Sequence, residues 1–127
     1  MQSIAPQSAQ SLLLRLRANG NNLSTATGFV VVTKKGPLLL TNRHVFTGRR
    51  QGDGRLLSST GAIPDEVSIV HNHDWRLGRW IEQSEPLYCG EQRLWIEHPT
   101  LGSSADLAAL PLTQLTGVAL QIGRAHV

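Results

Sequence analysis

Two apolar runs joined by a tight break constrain this chain more than anything else in it. Residues 26–33 read Ala-Thr-Gly-Phe-Val-Val-Val-Thr, Lys34-Lys-Gly-Pro37 interrupts, and Leu38-Leu-Leu-Thr-Asn-Arg-His44-Val45 follows. The β-branched residues of the first run are stiff at χ1 and suit a pleated strand better than a helix. Gly-Pro supplies the turn, so the pair predicts two antiparallel strands. Upstream, residues 11–18 alternate Leu14 and Leu16 with Arg15 and Arg17, the period of a half-buried strand. Asn19-Gly-Asn-Asn22 then offers residues that tolerate positive φ, which predicts another hairpin and an antiparallel meander.

Farther along, residues 48–64 are rich in Gly, Ser and Arg and lack periodicity, which predicts a long surface loop. Short strands are expected at 67–71, 78–82, 93–97 and 107–112, with a turn at Asn72-His-Asp74. Helical periodicity is confined to one short turn, Val45 to Arg49. Six or seven short strands predict an all-β domain the size of one small antiparallel barrel.

At 127 residues, 40% apolar and 17% charged, the chain is long enough to bury a core and too apolar for disorder. Twelve basic against nine acidic residues give a net charge of +3, and the basic residues are scattered. No stripe of them interleaves with aromatics, so no nucleic-acid partner is expected. Neither a basic leader nor an unbroken apolar span opens the chain, which predicts no membrane segment and a cytoplasmic location. The single cysteine, Cys89, excludes an internal disulfide and is expected to be a buried or loop thiol. Trp75, Trp80 and Trp95 are expected in the core or at a cleft rim.

Two residues stand out chemically. His44 ends an apolar strand beside Thr41 and Asn42, where an imidazole can take a proton from a nucleophile. Asp106 heads the apolar strand Leu107-Ala-Ala-Leu-Pro-Leu112, 62 positions later, where a buried carboxylate could orient that imidazole. The plainer alternatives are a turn-capping histidine and a solvated strand-initial carboxylate. Asp65 and Glu66, before the Val67 strand, and Asp74 compete with Asp106; Asp74 lies in a polar turn and ranks well below it. His71-Asn-His73-Asp74 lacks a full ligand set and reads as a solvated turn, so no metal or cofactor is expected.

Residues 26–46 and 104–112 resemble the trypsin-like serine peptidases, in the bacterial branch that reads Leu-Thr-Asn-x-His-Val. The matching pieces are Thr27-Gly28-Phe29-Val30, Leu40-Thr-Asn-Arg-His44-Val45 and Asp106-Leu-Ala-Ala-Leu-Pro-Leu112. The resemblance implies two antiparallel β-barrels with the site between them. His44 would be the general base and Asp106 its orienter, both on the first barrel. The serine, oxyanion hole and specificity pocket would come from a second barrel. That family sets its serine in Gly-x-Ser-Gly, which does not occur here; Gly102-Ser103-Ser104 precedes the aspartate, the wrong place. Cys89 lies between His44 and Asp106, whereas related cysteine proteases carry their nucleophile after both.

Residues 1–120 are thus expected to form the first barrel and the start of the crossover. The tail at 121–127 reads like translated sequencing adapter and is expected to be non-native. The expected function is truncated serine endopeptidase, without cofactor, acting on polypeptide and partnered by its own missing C-terminal barrel. As it stands the chain lacks a nucleophile and is expected to be inactive. The alternative is a catalytically inactive, protease-derived β-barrel that binds rather than cleaves.

Overall fold

A computed structural model describes residues 11–73 and 79–119. Asp74, Trp75 and the 121–127 tail lie outside the described residues. Three long strands open the fold: β1 (Ser11–Ala18), β2 (Asn21–Thr33) and β3 (Gly36–Thr41). A short helix, α1 (Arg43–Thr47), follows. Then come β4 (Glu66–His73), β5 (Trp80–Pro86), β6 (Tyr88–Cys89), β7 (Gln92–Arg93), β8 (Ile96–Glu97), β9 (Ala108–Pro111) and β10 (Val118–Ala119). Every pairing among the described strands is antiparallel.

The predicted meander is present. Asn19 and Gly20 turn the chain with φ of 51° and 80°, the double positive φ of a tight hairpin turn, so β2 begins earlier than the Val-rich run suggests. β1 buries Leu12, Leu14, Leu16 and Ala18 and turns Arg15 and Arg17 outward. On the outer face Arg17 bonds Glu82 and Ser68, and Arg15 bonds Glu82. Gly28 is required by close approach: a Cβ there would meet the Leu40 backbone oxygen at 2.9 Å and Leu39 and Leu14 side chains at 3.0 and 3.1 Å.

The main sheet has eight strands, in the order β10-β4-β1-β2-β3-β9-β8, with β5 also on β4; β6 and β7 form a separate hairpin. It borders one core, in which Val67 and Ile69 of β4 join Leu39 of β3, Leu110 of β9, Phe46 of α1, Leu87 and Trp95. No hydrogen-bonded ladder closes it into a barrel among the described residues. The strip after β9 links β3 to β5. Leu112 N–H donates to the Pro37 carbonyl at 3.1 Å, and the buried Glu85 carboxylate accepts from Thr113 N–H, Thr113 Oγ1 and Gln114 N–H, each at 2.8 Å. Those three donors satisfy a charge that burial would otherwise penalise heavily.

Several local expectations change. The strand read at 93–97 is two strands: Trp95 tucks into the core between β7 and β8, which belong to different sheets. The strand read at 67–71 runs on to His73, so His71 is no solvated turn residue but is 1% exposed and packed inside. Cys89 is exposed on β6, and Trp80 is 54% exposed rather than in the core.

Among the described residues, the buried His71 Nε2 has no hydrogen-bond partner. Burial holds this imidazole below its ordinary 6.5, with the Glu85 charge offsetting part of that. The unfolded chain therefore takes up a proton at a pH where the folded chain does not. Stability from this group is complete above about pH 6.5 and is lost as the pH falls toward the folded value. The urea midpoint should drop between about pH 7 and about pH 5.5, and His71→Phe should shrink that drop. Equal drops in the variant and the parent would contradict this role for His71.

Candidate active site

The register between β3 and β9 brings the two chemically interesting residues together. Thr41 pairs with Ala108, so the chain leaving β3 and the chain entering β9 meet at one end of the sheet. Thr41 Oγ1 donates to the Thr27 carbonyl at 2.8 Å and fastens this end of β3 to β2. The chain then turns into α1, whose start is marked by extended Asn42 at φ −72° and ψ 141°. Gly48 ends it in the left-handed region at φ 67°, donating its N–H to the His44 carbonyl. Pro64 packs so closely there that a Cβ on Gly48 would meet its Cδ at 2.7 Å.

His44 Nδ1 lies 2.6 Å from Asp106 Oδ2, and the His44 backbone N–H donates to Asp106 Oδ1 at 2.8 Å. Asn42 Nδ2 donates to the Asp106 backbone carbonyl at 3.1 Å. Thr41 Oγ1, by contrast, bonds the Thr27 carbonyl. Burial pushes the Asp106 carboxyl up, but bonds from the His44 backbone and ring, the His44 charge and the Arg43 backbone outweigh it, leaving the group below its ordinary 3.8. At neutral pH the carboxylate is therefore ionised and can only accept, so the proton in the 2.6 Å contact belongs to Nδ1. Whenever the ring is neutral, Nε2 is then the bare nitrogen, able to take a proton.

A pocket of about 420 Å³ opens beside the imidazole. Leu23, Ser24 and Thr27 of β2 form one wall, Asn42, His44 and Val45 the floor, and Leu57, Ser58, Ala62 and Pro64 of the 48–64 loop the other wall. His44 is the only ionisable side chain among its lining residues. The loop predicted at 48–64 thus borders the site, a role its composition did not signal.

Two of the competing carboxylates, Asp65 and Glu66, sit elsewhere. Asp65 Oδ2 accepts from Asn19 N–H at 3.0 Å and holds the β1–β2 turn, and Glu66 lies on β4 beside Arg17. Among the described residues no group of three or more His, Cys, Asp or Glu side chains is placed to hold a metal ion. No described helix is long and apolar enough to cross a membrane.

Sequence reasoning missed one part of this region. Glu97, with its side chain 9% exposed, accepts from Arg43 Nε at 2.7 Å and from Trp95 Nε1 at 3.4 Å. Burial raises its carboxyl, and the Arg43 bond and charge, the Arg93 charge and the Trp95 bond bring it below the ordinary value. Comparison with protein-family models, with curated proteins and with solved structures returns no match for this chain.

Proposed function

We propose that this chain carries the base-and-orienter half of a trypsin-like serine endopeptidase. The supporting observation is the paired contact of Asp106 with His44, one oxygen on Nδ1 at 2.6 Å and the other on the backbone N–H at 2.8 Å. Two acceptors on one carboxylate fix both the ring's tautomer and its rotation. In this reading His44 Nε2 takes the proton of a serine hydroxyl as the oxygen attacks a peptide carbonyl, and returns it to the leaving amine. Asp106 stays ionised and stabilises the imidazolium while it exists. Water then hydrolyses the acyl-enzyme by the same proton route.

The main sheet is read as the first of two barrels, its edge ladder replaced by the Glu85-held strip. The serine is assigned to a second barrel in a continuation of the chain, in a Gly-x-Ser-Gly setting. The pocket beside His44 would receive an uncharged part of the polypeptide substrate, since apart from His44 its described lining offers hydroxyls, an amide and apolar groups.

The parent locus beyond the codon for Leu120 provides the test. The expected result is an open frame encoding Gly-x-Ser-Gly, whose product reacts with a fluorophosphonate at that serine and loses the reaction in His44→Ala. The 127-residue chain alone should not be labelled. A continuation without such a serine, or labelling indifferent to His44, would overturn the peptidase reading in favour of a binding barrel.

A further inference from the structure

The imidazole–carboxylate pair rests on two segments that lie outside the long strands. His44 sits on a helix of five residues, too short to hold itself together in water. Asp106 lies in the connection between β8 and β9, which has no strand or helix of its own. Both side chains are partly open to solvent, 38% and 28% exposed, so packing alone does not lock them.

That connection is nevertheless tied at its start, middle and end, and each tie leads to residues flanking His44. At its start, Glu97 takes the 2.7 Å bond from Arg43, the residue before His44. In its middle, the Ser103 carbonyl accepts from Gln51 Nε2 at 2.6 Å, and Gln51 Oε1 accepts from Arg43 Nη1 at 3.3 Å. At its end, Ala108 pairs with Thr41. Beside these, Asn42 Nδ2 holds the Asp106 carbonyl at 3.1 Å, and Arg43 itself belongs to the first two ties. Its planar fork reaches a carboxylate with one edge and an amide with the other, which a lysine ammonium cannot reproduce with the same geometry.

We propose that Arg43 and Glu97 are positioning residues that hold the Asp106 connection against the start of α1 and so keep the carboxylate seated on His44 Nδ1. This rests on the reading of His44 as a base and Asp106 as its orienter. It adds the device that sets their distance. A simple stabilising ion pair would affect unfolding alone. A positioning clamp also changes the His44–Asp106 contact in the folded protein.

Nuclear magnetic resonance of the 127-residue chain separates the two. The His44 Nδ1–H proton is followed for its exchange with water, and the Asp106 carboxyl carbon for its titration midpoint. In Arg43→Ala, exchange should accelerate at least tenfold and the Asp106 midpoint should rise toward its ordinary value, with the β1–β4 amide spectrum retained. Arg43→Lys should recover part of both effects. Arg93→Ala removes a cation 3.8 Å from the other Glu97 oxygen and should leave both readings unchanged.

Should Arg43→Ala fail to fold because Glu97 loses its closer cation, Arg43→Met combined with Glu97→Leu removes the pair together. The same two changes are expected there. A folded variant of either kind with unaltered exchange and an unaltered Asp106 midpoint would overturn the proposal. In a serine-bearing chain the Arg43→Ala loss should fall on kcat, tenfold to about a hundredfold, the scale of a small misplacement of reacting groups. Absence of a serine would remove only this last reading and leave the resonance test intact.

Discussion

In the serine-bearing chain, Asp106→Asn should lower kcat about ten-thousand-fold while the fold survives. The reason lies in the two bonds that the carboxylate accepts at once, from the His44 backbone N–H at 2.8 Å and from the ring at 2.6 Å. An asparagine has only one oxygen to offer. The backbone N–H cannot become an acceptor, so the amide oxygen turns to it and the amide NH₂ faces Nδ1. The ring must then accept at Nδ1 and carry its proton on Nε2, where the base is needed. Circular dichroism and a thermal melt close to those of the parent should accompany the loss. A fall of less than about tenfold would mean that Asp106 does not set the tautomer.

The largest effect on stability should come from Phe46→Ala, at about 3–5 kcal/mol. Phe46 is fully buried, is the one buried residue of α1, and stacks at a tilt on Trp95 with ring centroids 5.6 Å apart. Truncation leaves a cavity between the helix and the sheet and removes the anchor of the segment that carries His44. Against a typical total of about 5–15 kcal/mol, the variant should sit near the edge of folding. Urea unfolding measures the difference directly; a loss under about 1 kcal/mol would show that α1 is not pinned by this ring.

The parts of the fold legible in the sequence are those set by local chemistry. Alternation in β1, the Asn19-Gly20 turn and the Val-rich half of β2 each follow from neighbours in the chain. Asp106 stands out in sequence because an apolar run follows it, and such a run forms the β9 strand that pairs with β3. Features decided by distant contacts were not legible. Residues 93–97 have the composition of one strand, yet burying Trp95 splits them between two sheets. His71 reads as part of a solvated turn in sequence yet is 1% exposed, and Glu85 is 2% exposed with Thr113 and Gln114 bonded to its carboxylate. Arg43 and Glu97 are separated by 54 positions, and only the approach of α1 to β8 makes them partners. The pocket is equally non-local, since its walls come from β2 and from a loop with no periodic pattern.

At the centre of the account is an imidazole whose proton is kept on Nδ1 by Asp106, so that Nε2 is bare. Long-range proton–nitrogen correlation spectra of His44 in ¹⁵N-labelled protein, recorded at a pH where the ring is neutral, read this state directly. The account predicts a protonated Nδ1, an unprotonated Nε2 and a slowly exchanging Nδ1–H that Asp106→Ala abolishes. An Nε2–H tautomer, or ring signals that do not respond to Asp106→Ala, would contradict it.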